Sequence, residues 1–204
     1  MLDTATPARL TGRLSAAQRQ RHLLECALVV FARDGIGRAG HTQIAALAGV
    51  SVPAVFKYFP TRSALVDAVL DHVGHRLLEL ARKSHRGSQS ARDAIRAHAC
   101  GWNQLTLDSP HIVKIWLEWS ASIREDVWPR FLVLEDKLNR IIARTINRDP
   151  DAPKHLTPLE AARAIHGMAY MVAHMHFAPE PTGDDAETFA LNVVDALLGF
   201  RDDE

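Results

Sequence analysis

Apolar residues recur along this chain at the spacing of an α-helix, and no segment shows the strict alternation of a half-buried strand. Leu23, Leu24, Ala27, Leu28 and Phe31 follow i, i+1, i+4, i+5, i+8, which predicts an amphipathic helix over Ala16 to Arg33 with Ser15 as N-cap and Gly35 just past its end. Thr42 can cap a short helix, QIAALA, that stops at Gly49. Ser51 can cap VPAVFKYF, where Pro53 sits in the first turn and its missing N–H breaks no intrahelical bond. After Pro60, Thr61 can cap a long helix from Arg62 to about Arg86. Further helical patterns cover Ala91 to Asp108, Ile112 to Ser120, Trp128 to Asn147, Leu159 to Phe177 and Ala186 to Phe200. The intervening stretches RGSQS, Ser109–Pro110, RDPDAPKHLTP and APEPTGDD are rich in turn formers and breakers. About nine helices and no sheet are expected, an all-α protein.

That pattern decides the reading of G-I-G-R-A-G, residues 35–40. As a dinucleotide fingerprint the string needs a strand before it and an acid about 20 positions on. A helix precedes it instead, and no acid follows Gly40 until Asp67. The glycines read as helix terminator and turn.

Two short helices joined by a few residues that include a glycine outline a helix-turn-helix, which lays its second helix in the major groove. On that reading Ser51, Pro53, Ala54 and Lys57 face DNA, while Val52, Val55, Phe56 and Phe59 supply packing. Thr42, Tyr58, Thr61 and Arg62 are candidate phosphate contacts, the kind that fixes register. Ahead of the first helix, Arg9 and Arg13 lie among Thr, Pro and Gly with no periodicity, as in basic arms that enter a narrow minor groove.

Charge agrees with this placement. The 204 residues carry 24 basic and 24 acidic side chains, yet Met1 to Arg62 holds eight lysines and arginines against three acids. The excess of +5 there and −5 in the remainder points to an anionic partner met at one end. The longest apolar run, LLECALVVFA, is broken by Glu25 and is half of a membrane span. The N-terminus has no apolar block of a secretory signal, so the cytoplasm is the expected compartment. Cys26 and Cys100 stand alone, with no C-x-x-C, as buried small hydrophobes. Neither the eleven histidines nor the acids form a metal-ligand or catalytic string, so no metal, no cofactor and no enzyme activity are expected. HIVKIWLEWSASIREDVW concentrates Trp116, Trp119 and Trp128, as a core or as the wall of an apolar cavity. Glu118 between them is either a surface group or tied to a neighbouring helix.

The first helix ending in F-A-x-x-G, followed by TQIAALAGVSVPAVFKYFPTRSALVDAVL, resembles the TetR family of bacterial transcription regulators over residues 15 to about 72. Within that family the strings RLS, FARDGIGRAGH, VSVPAVFKYFPTR, WLEWSAS and REDVWPRF are similar to the vibrio quorum-sensing master regulators of the LuxR, HapR and SmcR type. The resemblance implies a flexible arm (1–14), a helix-turn-helix domain (15–65) and a ligand-binding and dimerisation domain (66–204). It implies a homodimer on a palindromic operator, paired through the last two long helices. It also implies a pocket between Leu78, Trp116, Glu135, Asn139, His166, Gly167 and Tyr170. The chain departs from that subgroup at Pro53, Lys57 and Glu135, where alanine, asparagine and asparagine stand. Two other functions fit the residues: a ligand-released local repressor of a transport or catabolic gene, and a helical carrier or enzyme with a vestigial DNA-binding head.

Overall fold

The computed structural model of the chain describes residues 15–87, 90–152, 154–178 and 185–199. Among these residues there are nine helices and no strand. They are α1 (Ala16–Asp34), α2 (His41–Ala48), α3 (Val52–Phe56), α4 (Arg62–His85), α5 (Ala91–Asp108), α6 (Pro110–Ala121), α7 (Trp128–Arg148), α8 (Pro158–Phe177) and α9 (Ala186–Leu197). Arg9, Arg13 and Phe200 lie outside the described residues.

The ends of the helices follow local chemistry. Ser15 and Gln18 form a reciprocal capping box at the start of α1, with Gln18 N–H donating to Ser15 Oγ at 3.2 Å and Ser15 N–H to Gln18 Oε1 at 2.9 Å. Thr157 and Glu160 repeat the device on α8, which therefore begins at Pro158, one residue earlier than the apolar pattern indicates. Thr61 Oγ1 accepts from Ala64 N–H at 3.0 Å and caps α4. Asp185 caps α9 in the same way.

Three expectations need correction. Helix α2 starts at His41 with Gly40 at its N-cap, so Thr42 lies inside the helix and caps nothing. The cause is His41 itself: its ring is buried and bonded to the Phe59 carbonyl, which draws the residue into the helix. Ser51 occupies the N-cap of α3 but makes no side-chain cap bond. Helix α3 ends at Phe56, three residues short of Phe59, because Phe59 precedes Pro60 and residues before proline avoid the α region.

The described chain divides into two compact units. One takes the residues up to His75 together with Ser109–Ile123. Its core contains Leu23, Phe31, Ile36, Ile44, Val55, Phe59, Leu65, Trp116 and Trp119, all buried. The other takes Arg76–Asp108 with the chain from Arg124 onward. Its core includes Ile95, Leu138, Ile142, Ile165, Val172 and Val194. There the Trp102 indole N–H donates to the Ala169 carbonyl at 3.0 Å, and Asp195 pairs with both Arg96 and Arg92. In this division α6 groups with the helix-turn-helix. The division also splits the tryptophan run: Trp116 and Trp119 belong to the first unit, whereas Trp128 belongs to the second, half-buried and stacked on Phe131.

Candidate nucleic-acid interface

Helices α2 and α3 are joined through Gly49, whose φ of 67° and ψ of 36° place it in the left-handed region that a residue without Cβ adopts freely. Helix α3 is one and a half turns long. It anchors itself through fully buried Val55 and, just beyond its end, buried Phe59. Ser51, Pro53 and Lys57 are exposed and Ala54 is half-exposed, so the four candidate base-facing residues share the surface of this helix. Of the candidate phosphate contacts, Thr42, Thr61 and Arg62 are exposed and Tyr58 is half-buried.

Phe56 behaves differently from its expected packing role. It is 44% exposed and its ring lies flat on that of His41, with centroids 3.9 Å apart and planes within 5°. His41 Nε2 bonds the Phe59 carbonyl at 2.7 Å, and since a carbonyl only accepts, Nε2 carries the proton. The sequence signal was present in the spacing: on a helix Phe56 follows Pro53 by three and precedes Lys57 by one, which sets it at the edge of the exposed face.

The turn between α1 and α2 is held on both its donor and acceptor sides. Glu118, from α6, accepts the Ile36 N–H with Oε1 at 2.8 Å and Oε2 at 3.0 Å. Arg62 Nη2 donates to the carbonyls of Ile36 at 2.6 Å and Gly37 at 2.9 Å. Glu118 is therefore a group tied to a distant segment, and Arg62, expected at a phosphate, has one terminal nitrogen engaged within its own unit. Close by, Asp34 receives both Nε and Nη2 of Arg33. That hydrogen-bonded guanidinium holds the Asp34 carboxyl below its usual range.

Of the expected pocket residues, Leu78, Glu135, Asn139, His166, Gly167 and Tyr170 fall in the second unit and Trp116 in the first. Asn139 is buried on α7, and its Oδ1 has no hydrogen-bond partner. Neither has Nδ1 of His166 on α8. The same unit holds a chain of histidines that the sequence did not single out. His85 Nδ1 meets Thr145 Oγ1 at 2.9 Å, and His85 Nε2 meets His98 Nδ1 at 3.0 Å. Burial pushes His85 down to about 4, His98 to about 3 and His166 to about 4. His98 is lowered further by its neighbours His85 and His166. Among the described residues no group of three His, Cys, Asp or Glu could hold a metal ion.

Comparison with known proteins agrees with this geometry. The profile described as "Bacterial regulatory proteins, tetR family" matches residues 23–69, the span from the middle of α1 into α4. The HTH-type transcriptional regulator LuxR of Vibrio harveyi is 39% identical over 168 residues, 78% of this chain and 80% of its own. This chain belongs to the TetR family. Among solved structures, a TetR-like transcriptional regulator from Rhodococcus sp. RHA1 aligns with TM-score 0.76 at 20% identity, over 93% of this chain and 100% of that one. SmeT in complex with triclosan aligns with TM-score 0.73 at 19% identity, over 89% and 90%. SmeT is the repressor of the Stenotrophomonas maltophilia multidrug efflux pump SmeDEF.

As a TetR-family regulator the chain binds DNA and acts on transcription; its relatives and its fold are those of regulators and not of enzymes. The matched span contains both short helices and the turn clamped by Glu118 and Arg62, while Glu118 itself lies outside it. Among the described residues no helix is long and apolar enough to cross a membrane.

Proposed function

We propose that this TetR-family chain is a global regulator of the quorum-sensing type that grips a palindromic operator as a homodimer. The observation that carries the reading is the 39% identity to LuxR of Vibrio harveyi, which extends well past residues 23–69 into the second unit. Each α3 enters a major groove, with Ser51, Pro53, Ala54 and Lys57 at base edges. Thr42, Tyr58, Thr61 and Arg62 contact phosphates, and Arg9 and Arg13 reach the minor groove. Two α3 helices in a symmetric dimer then stand about 34–36 Å apart, one turn of DNA. The dimer pairs α8 and α9 with their mates, and the protein works in the cytoplasm. Lys57, in place of asparagine, favours guanine O6/N7 or a phosphate over adenine, so its operator differs from that of the LuxR subgroup.

A second reading keeps the fold and changes the regulation: a local repressor released by a small molecule. The unpartnered Asn139 Oδ1 and His166 Nδ1 favour it, because buried polar atoms are costly unless something bonds them. Glu135 and Tyr170, both half-exposed, belong to the same unit. A ligand there alters operator affinity only by binding the competent and incompetent arrangements of the dimer unequally. Helix α4 carries the difference, since it runs without a break from the helix-turn-helix unit into the other.

The test is selection of bound duplexes from a random-sequence DNA pool with the purified chain, followed by affinities at two salt concentrations and the solution mass. A palindromic consensus, a dimer mass and a steep loss of affinity with salt support the proposal, because counterions are released for each phosphate neutralised. A monomer, or a pool with no enriched sequence, overturns it. One operator beside the gene, against many across the genome, decides for the local repressor.

A further inference from the structure

We propose that Phe56 reads sequence: its phenyl ring, oriented by His41, packs against the 5-methyl group of a thymine in the major groove. The inference rests on the DNA-reading role of α3 and adds to it a contact of a different chemistry from the polar ones named above.

An exposed phenylalanine is informative when something holds it. Phe56 leaves 44% of its surface in solvent, although Val55 beside it is fully buried and Phe59 is nearly so. One face of its ring is covered by His41 in a parallel stack. His41 cannot swing away, because it is buried and its Nε2–H is committed to the Phe59 carbonyl. The exposed area is therefore the opposite face and the edge of a ring fixed in one orientation, on the surface that also presents Pro53 and Lys57.

A phenyl ring offers no hydrogen bond to the donors and acceptors of the base edges. In the major groove the 5-methyl of thymine is the apolar group available, and apolar contact with it is an established means of distinguishing T. Pro53, three residues earlier on the same face, extends the apolar surface. The exposed phenyl is thus a preformed half of a contact whose other half is a methyl group on DNA. Holding the ring in advance lowers the entropy lost when it is used.

The experiment takes the consensus duplex recovered by selection and replaces each thymine in turn by deoxyuridine, which removes only the methyl. Affinities are measured for the wild-type chain, Phe56→Ala, Phe56→Leu and Lys57→Ala. The expected result is one thymine in each half-site where loss of the methyl weakens wild-type binding about fourfold, the worth of one buried methyl. Phe56→Ala loses that dependence, while Lys57→Ala keeps it. Phe56→Leu, which retains apolar bulk without a ring to stack, shows an intermediate effect and serves where Phe56→Ala does not fold. If every thymine-to-uracil change costs the Phe56 variants as much as the wild type, the proposal is overturned, and Phe56 lies against backbone or solvent. A selection that returns no consensus overturns the operator-binding reading as a whole, an outcome distinct from a consensus without a Phe56-dependent thymine.

Discussion

Both carboxylate oxygens of Glu118 accept the backbone N–H of Ile36, a contact made across 82 positions of sequence. It pins the α1–α2 turn from α6, and Gly35 lies against the same carboxylate. With φ 86° and ψ 158°, Gly35 occupies a region that is essentially restricted to glycine, and a Cβ there would stand 3.0 Å from Glu118 Oε1.

Glu118→Ala leaves the amide of buried Ile36 without its acceptor, so unfolding free energy should fall by about 1–3 kcal/mol. Gly35→Ala should cost a comparable ~1–3 kcal/mol through backbone strain. Glu118→Gln keeps one acceptor oxygen and should sit between Ala and the wild type. Urea midpoints give the stabilities, and a gel shift at constant salt shows whether the loosened turn also weakens operator binding. Wild-type stability in Glu118→Ala would mean that the clamp holds nothing.

Lys57 closes α3 at its C-terminal end and is exposed. Lys57→Ala should weaken operator binding, and the manner of the loss tells where the ammonium goes. A base contact costs about 1–3 kcal/mol and relaxes preference at one position. A phosphate contact weakens all duplexes alike and lowers the salt slope by about one. Titrating the consensus and a scrambled duplex at several salt concentrations separates them. Unchanged affinity for both means α3 is not the reading helix.

The helix-turn-helix was legible because its signals are local: capping residues, Gly49, Pro60, and apolar spacing that holds over one or two turns. The same locality explains the misses. Thr42 looked like a cap because the sequence does not reveal that His41 is bound to the Phe59 carbonyl, 18 positions on. Phe56 fits the apolar spacing of Val52 and Val55, yet as the last of five helical residues it also stands at the edge of the exposed face, and so short a helix gives the spacing no means of weighing the two. Glu118 and α6 joined the first unit through contacts that no spacing rule encodes, and the His85–His98 pair is likewise a tertiary product.

Asn139 gives a prediction that separates a structural role from a ligand-binding one. Its Oδ1 is buried without a partner, a state that costs about 1–3 kcal/mol on the scale of mutational data. Asn139→Leu, which keeps the branched four-atom outline of the side chain without its polar atoms, should therefore raise the urea midpoint. If the amide is kept for a ligand, the variant should also bind its operator equally well in the presence and absence of a small molecule that releases the wild type. A lowered midpoint would show that Asn139 is bonded in the folded chain after all.

The histidines of the second unit set its behaviour in mild acid. A bond between the ring nitrogens of His85 and His98 needs one N–H and one bare nitrogen, so the acceptor ring must stay neutral. Burial lowers His85 and His166 to about 4 and His98 to about 3, whereas the same residues titrate near 6.5 in an unfolded chain. Above that value both states are neutral and these groups give no pH dependence. As pH falls below it, the unfolded chain takes up protons that the folded chain refuses, so stability present at neutral pH is lost progressively until pH nears the folded values. Each histidine contributes about 1.4 kcal/mol per pH unit in the window, and the three together approach three times that slope. The carboxylates with lowered values, Asp34, Glu160 and Asp185, add their own loss of stability only below about pH 5, where they protonate in the unfolded chain, so the upper part of the window belongs to the histidines. Urea unfolding at about pH 7, 6 and 5.5 reads the slope, and a His98→Gln variant should lose about one proton's worth of it. A wild-type slope no steeper than that of the variant would show that His98 accepts its proton in the folded protein as readily as in the unfolded one.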